Sequence, residues 1–151
     1  MTVFQPRDPD FELRVRSSFA RQPHMSHIGA CLCRVIPGEV DITMPSAEHI
    51  LQQHGYVHGG ALASIADSAA GFAAMSLAAI NTNVLTAELK VNFLRPASGK
   101  KMIARGRILK PGKTLTICQT DVFGISDNLD KKETHVLTGL VTIMHIDDLS
   151  D

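Results

Sequence analysis

A chain of 151 residues with 44% hydrophobic and 20% charged residues suits one globular domain with a real core and is too apolar for disorder. Fifteen basic residues balance fifteen acidic ones, which argues against a nucleic-acid partner or an anionic membrane surface. The opening "MTVFQPRDPDFELRVR" has no apolar run and does not read as a secretory leader. Three cysteines without such a leader point to reduced thiols in a cytoplasm.

In chain order, residues 10–21, "DFELRVRSSFAR", space Phe11, Val15, Ser18 and Phe19 along one face of a short amphipathic helix. "IGACLCRVIPGEVDITMP" reads as two strands joined at Pro37-Gly38, with Cys31 and Cys33 on a shared face as small hydrophobes. A polar stretch with room for one helical turn then leads into a long helix of small residues, from Gly59 to about Ala79, with Asn81 as its stop signal. Its apolar run is broken by Asp67 and several serines, so it reads as a buried helix and not as a membrane span. Beyond it, "NVLTAELKVNFLRP" alternates with period two. Leu85, Ala87, Leu89, Val91 and Phe93 form one buried face, Thr86, Glu88, Lys90 and Asn92 the other, and Pro96 ends the strand. "KMIARGRILK", "TLTICQTDVFGI" and "ETHVLTGLVTIMHI" are three further strands. The class is therefore α+β within a single domain over 1–151. An antiparallel sheet of five to six strands is covered by one long helix, with a short helix before it.

At 100° per residue the long helix separates its side chains by size. Leu62, Ile65, Phe72, Leu77 and Ile80 fall on one side with Met75 at the edge, while Gly60, Ser64, Asp67, Gly71, Ala74 and Ala78 fall on the other. The large side fills a core; the small side admits a ligand or another backbone. Asp67 stands in the middle of the small side, too far along to cap the helix. Buried and unpaired, a carboxylate there costs several kcal/mol or shifts its pKa upward; the alternative is an Asp satisfied by a neighbour. "GYVHGG", just before, offers backbone N–H groups suited to a developing negative charge, and Gln52 adds an amide donor. Oxyanion donors followed by a carboxylate make a constellation for attack on a carbonyl.

"GYVHGGALASIAD" resembles the G-x-x-H-G-G-x(6)-D signature of hotdog-fold acyl-CoA thioesterases of the PaaI-like group, and "TAELKVNFLRPA" resembles the strand that follows their helix. The resemblance covers about residues 25 to 147. It implies a long helix wrapped by an antiparallel sheet, homodimers or homotetramers, and active sites at subunit interfaces. It assigns Asp67 as the catalytic carboxylate, acting as general base or nucleophile. Gly59 supplies the N–H that polarises the thioester carbonyl, and His58 is the histidine beside it. Thr86 is a hydroxyl near the attacking water, contributed across the dimer. Gly60 and Ser64 fall on the substrate side. Gln52 departs from the asparagine usual in that group and matches hydroxybenzoyl-CoA-type thioesterases, which pair it with a Glu.

The implied substrate is a small-to-medium acyl- or aryl-CoA, with coenzyme A as part of the substrate and no separate cofactor. Arg95 and Lys113 are candidates to hold its phosphates. His54 and His58, or His24 and His27, lack the glutamate of an H-E-x-x-H zinc site, so no metal is expected. Two other functions fit the scaffold: a non-catalytic acyl-CoA sensor and a hotdog dehydratase or hydratase. The retained Asp67, and the absence of a basic helix-turn-helix extension, favour the hydrolase.

Overall fold

The computed structural model of the chain describes residues 4–127 and 132–147. Helix α1 (Phe11–Ala20) buries Val15 completely and sets the Phe19 ring edge-on to Phe72, 5.7 Å away. A second helix absent from the sequence reading, α2 (Pro23–His27), follows at once and buries Met25. Proline in its first turn fixes φ for helix entry, but five residues are too few for periodicity to reveal. Strands β1 (Cys31–Ile36) and β2 (Glu39–Pro45) form the expected hairpin. Gly38 takes φ +81 at its turn and donates its N–H to Ser76 Oγ at 2.7 Å. One 3-10 turn (Glu48–Ile50) interrupts the polar stretch before α3 (Gly59–Met75).

Helix α3 stops short of the expected Ala79. The Arg14 guanidinium of α1 reaches across and donates to the carbonyls of Met75, Ala78 and Ala79 at 2.8–3.1 Å. These acceptors are the groups a helix end leaves unpaired, and satisfying them from outside lets the chain turn away. Asn81, at φ 66, completes the turn. Ile80, expected in the core, is consequently exposed.

Strands β3 (Thr82–Phe93), β4 (Lys101–Lys110), β5 (Leu115–Ile125) and β6 (Glu133–Asp147) complete a six-stranded antiparallel sheet of order β1-β2-β4-β5-β6-β3. Ile42, Met44, Met102, Val122, Leu137 and Ile143 join Ile65 and four alanines of α3 (Ala66, Ala69, Ala70, Ala73) in one fully buried core. The closest approach of helix to sheet is at Gly106 of β4. A Cβ there would lie 2.3 Å from the Ala69 carbonyl, so only glycine lets the helix seat this deeply.

Two expectations about strand faces are corrected. Strand β3 is an edge strand, and between Thr86 and Glu88 its pairing with β6 slips by one residue. This bulge at Ala87 breaks the period-two face. Val84 lies on the core side of the bulge's first half, Leu89 and Val91 on that of the second, while Leu85 is 50% and Phe93 55% exposed. Strand β1, the other edge, also carries a bulge, and Cys31 and Cys33 are both exposed, not packed as small hydrophobes. Cys118 is the buried thiol, and burial pushes it up to about 12.

Candidate active site

The loop before α3 is tied down by its own backbone. Gln52 N–H donates to Tyr56 O, Gly55 N–H returns to Gln52 O, and the Gln52 side-chain oxygen accepts from His54 N–H. His58 is the N-cap: its Nδ1 accepts from Gly60 N–H at 2.9 Å, so the ring that flanks the glycines also holds them. Gly60 N–H is thereby committed, whereas Gly59 N–H has no acceptor among the described residues. Gly59 packs under the Phe93 ring, where a Cβ would stand 3.0 Å from the ring edge. Gln52, Gly59, Phe93 and Arg95 share the walls of one open cavity of about 560 Å³.

Asp67 is half-buried midway along α3 and faces a different space. Thr86 donates to its Oδ1 at 2.7 Å. Both residues belong to one chain, in contrast to the expected contribution of Thr86 across a dimer; the bulge at Ala87 is what turns Thr86 onto the helix side. Burial raises the Asp67 pKa above its ordinary value, and the Thr86 hydrogen bond opposes that rise in part. The carboxylate lies between two cavities that also share Gln22 and Ser68. One, of about 380 Å³, is walled by Gly71, Phe72, Met75, Val84, Leu85 and Ile143. The other, of about 390 Å³, is walled by Arg21, His24 and Ser64. The space over Gly71 is open, so the small-residue side of α3 faces a cavity here, as expected, but closes over Ala74 and Ala78, which are buried.

The structure thus brings Gln52, Gly59 and Arg95 together at the helix N-terminus, and Asp67, Thr86 and Ser64 together at its middle. Gly60 binds the cap. Lys113 joins neither group. It is exposed in the β4–β5 turn, whose Gly112 shares a cavity with Leu77 beyond the other end of α3. Sequence reasoning missed Gln22, Ser68 and His24 as wall residues. His24 entered it only as a metal candidate paired with His27, yet His27 lies against His49 while His24 bonds Ser64. The one available signal was the Pro23 helix start, which brings His24 to α3.

An antiparallel sheet closed over one long helix is the hotdog arrangement, and here a partly buried carboxylate stands on that helix. Comparison with known proteins gives the family. The model described as "Thioesterase superfamily" matches residues 54–130, about half of the chain. A protein of Halobacterium salinarum that bears the name "Putative esterase" is 31% identical over 120 residues, 76% of this chain and 79% of that one. A thioesterase family protein from Silicibacter pomeroyi superposes with a TM-score of 0.88 at 39% identity, over 91% of this chain and 99% of that one. At 20% identity the Escherichia coli PaaI protein shares the fold, with a TM-score of 0.78 over 91% and 94% of the two chains. The chain belongs to the thioesterase superfamily, and its reaction class is hydrolysis of a thioester or ester. Among the described residues no helix is long and apolar enough to cross a membrane.

Proposed function

We propose that the chain hydrolyses the thioester of a small-to-medium acyl- or aryl-CoA, with Asp67 as general base and Gly59 N–H polarising the carbonyl. The observation that carries this reading is Asp67 itself. It is a half-buried carboxylate with a raised pKa and one donor, at the mouth of a partly apolar cavity of about 380 Å³. A raised pKa makes a carboxylate a better base near neutrality, and the cavity size suits a short acyl or aryl group. Water attacks the carbonyl carbon while Asp67 takes its proton, the carbon–sulfur bond breaks, and the products are a carboxylic acid and coenzyme A. Stabilising the oxyanion from Gly59 N–H, supported by Gln52 and the His58 cap, supplies about 10²–10³ of the rate.

One chain does not hold the whole constellation. Gly59 and Asp67 are separated by about 12 Å along the helix axis at 1.5 Å per residue, and their cavities share no wall residue. A carbonyl must lie about 3 Å from both its donor and its attacking water. The reading therefore uses Gly59 of one copy with Asp67 of another, and a homodimer or a homotetramer built from it is the working assembly. The free edge of β3, which carries Thr86 and the exposed Phe93, is where a second copy would pair. Arg95, beside Gly59, is suited to a coenzyme A phosphate.

The test is thiol release from short-chain, long-chain and aryl acyl-CoAs, alongside Asp67→Asn. Turnover that falls about 10³-fold in a folded Asp67→Asn protein is the expected result. Acyl-CoA binding without turnover by the native chain would make it a sensor. Mixing inactive Gly59→Val and Asp67→Asn chains should restore about a quarter of the activity if sites are shared between copies, and none if they are not.

A further inference from the structure

We propose that His24 is the general acid of this reaction, giving a proton to the leaving sulfur as the carbon–sulfur bond breaks; the step rests on the thioesterase reading above. The first support is the space on either side of Asp67. The carboxylate walls two cavities, one running past Phe72, Met75, Asn83 and Ile143, the other past Arg21, His24, Met25 and Ser64. A thioester reacting at Asp67 has two arms to place. The acyl arm takes the first cavity, as in the function proposed above. The thiol arm of coenzyme A is then directed to the second, and its sulfur lies next to the cavity that His24 lines.

The second support is how the imidazole is held. His24 Nε2 lies 2.9 Å from Ser64 Oγ, and Ser64 spends its own hydroxyl proton on Gly60 O at 2.9 Å. Ser64 Oγ is left as an acceptor, so Nε2 carries the hydrogen of this contact and Nδ1 is the nitrogen that gains and delivers a proton. Ser64 stands one turn before Asp67 on the same helix, which sets the spacing of acid and base through the backbone. In the step, water adds to the carbonyl carbon and its proton goes to Asp67. The carbon–sulfur electron pair moves to sulfur, which takes the Nδ1 proton. Asp67 then releases its proton to solvent and His24 regains one, leaving acid, thiol and unchanged enzyme.

A general acid matters most when the leaving thiolate is basic, and that separates this role from a structural one. The experiment compares native chain and His24→Gln, which keeps a donor toward Ser64, on one acyl group carried by an alkyl thiol (coenzyme A) and by a far more acidic aryl thiol. The expected result is a fall in kcat of about 10²-fold on the coenzyme A thioester and less than about threefold on the aryl one. Equal losses on both, or no loss on either, would overturn the proposal while leaving the thioesterase reading intact. If the native chain accepts only coenzyme A thioesters, the deciding arm is His24→Ala with added imidazole: restored turnover supports the role, and none overturns it. A native chain that releases no thiol from any substrate removes the thioesterase reading and this step with it.

Discussion

Two of the carboxylates withdrawn from water in this chain, Asp121 and Asp67, have opposite surroundings. Asp121, on β5, is 3% exposed. It accepts from Thr138 at 2.7 Å, from His135 at 3.0 Å, from Gln119 at 3.1 Å and from the Arg107 guanidinium. Every lone pair has a donor and one donor carries positive charge, so fixed partners on three strands satisfy the carboxylate. Asp67 has, among the described residues, the Thr86 hydroxyl as its one side-chain donor, and a cavity on either side. A protein that can furnish four donors to one carboxylate has furnished a single one to the other. The unsatisfied capacity at Asp67 is what a substrate and its water can use, and satisfied capacity at Asp121 is what a sheet can use. This contrast separates function from architecture better than burial does, since the structural carboxylate is the more buried of the two.

The sharpest way to break the contrast is to delete both groups and compare the losses. Asp121→Ala should cost about 3 kcal/mol, because it strands donors on three neighbouring strands, although Arg107 and His135 are partly exposed and recover some hydration. At this chain length that lowers Tm by about 9 °C, with kcat of the folded protein within about twofold of native. Comparable damage to kcat at a temperature where the variant is folded would mean that the outer face of the sheet takes part in catalysis. Asp67→Asn should do the reverse, leaving stability at pH 7 unchanged or raising it by about 1 kcal/mol. Its folded pKa is raised, so the stability it contributes is complete below the ordinary carboxylate value of 3.8 and is lost as pH rises through the folded value. The amide never incurs that loss, so urea midpoints of native and variant should diverge at pH 7 and converge as pH falls toward 3.8. A variant destabilised at pH 7 would show that Asp67 is an architectural group like Asp121.

Much of this was legible from residues alone, for physical reasons. The six strands and the long helix announce themselves through period and turn chemistry, and Asp67 stands out as a charge in a run of Ala, Gly and Ser. What failed to show depends on contacts made far along the chain. The end of α3 is set by Arg14 from α1, sixty residues upstream and invisible to any local pattern. The buried face expected of β3 assumed an unbroken ladder, whereas the slip between Thr86 and Glu88 exists only because β6 is its neighbour. That same slip turned Thr86 onto Asp67 in its own chain. His24 was hidden because a helix of five residues has no period to read. Asp121 drew no notice at all. In an alternating strand it reads as an ordinary outward-facing polar residue, and the donors that enclose it come from β4 and β6 as well as its own strand.

The smallest expected effect is the most pointed, because it moves Asp67 away from Asp121 by one further step. Thr86→Val keeps the shape of the side chain and removes the only side-chain donor among the described residues that lowers the Asp67 pKa. Burial then acts unopposed and the pKa rises further. In the pH profile of kcat/KM, the acid limb should move to higher pH. The plateau should fall about fivefold, the equivalent of one hydrogen bond of about 1 kcal/mol. Stability should change little, since Thr86 is exposed on an edge strand. The direction of the limb is the critical reading. An enzyme whose base is some other group would lose rate in Thr86→Val through altered geometry, but its limb would stay in place. A limb that moves upward, in a protein that melts where the native one does, ties the titration seen in catalysis to the carboxylate that Thr86 touches.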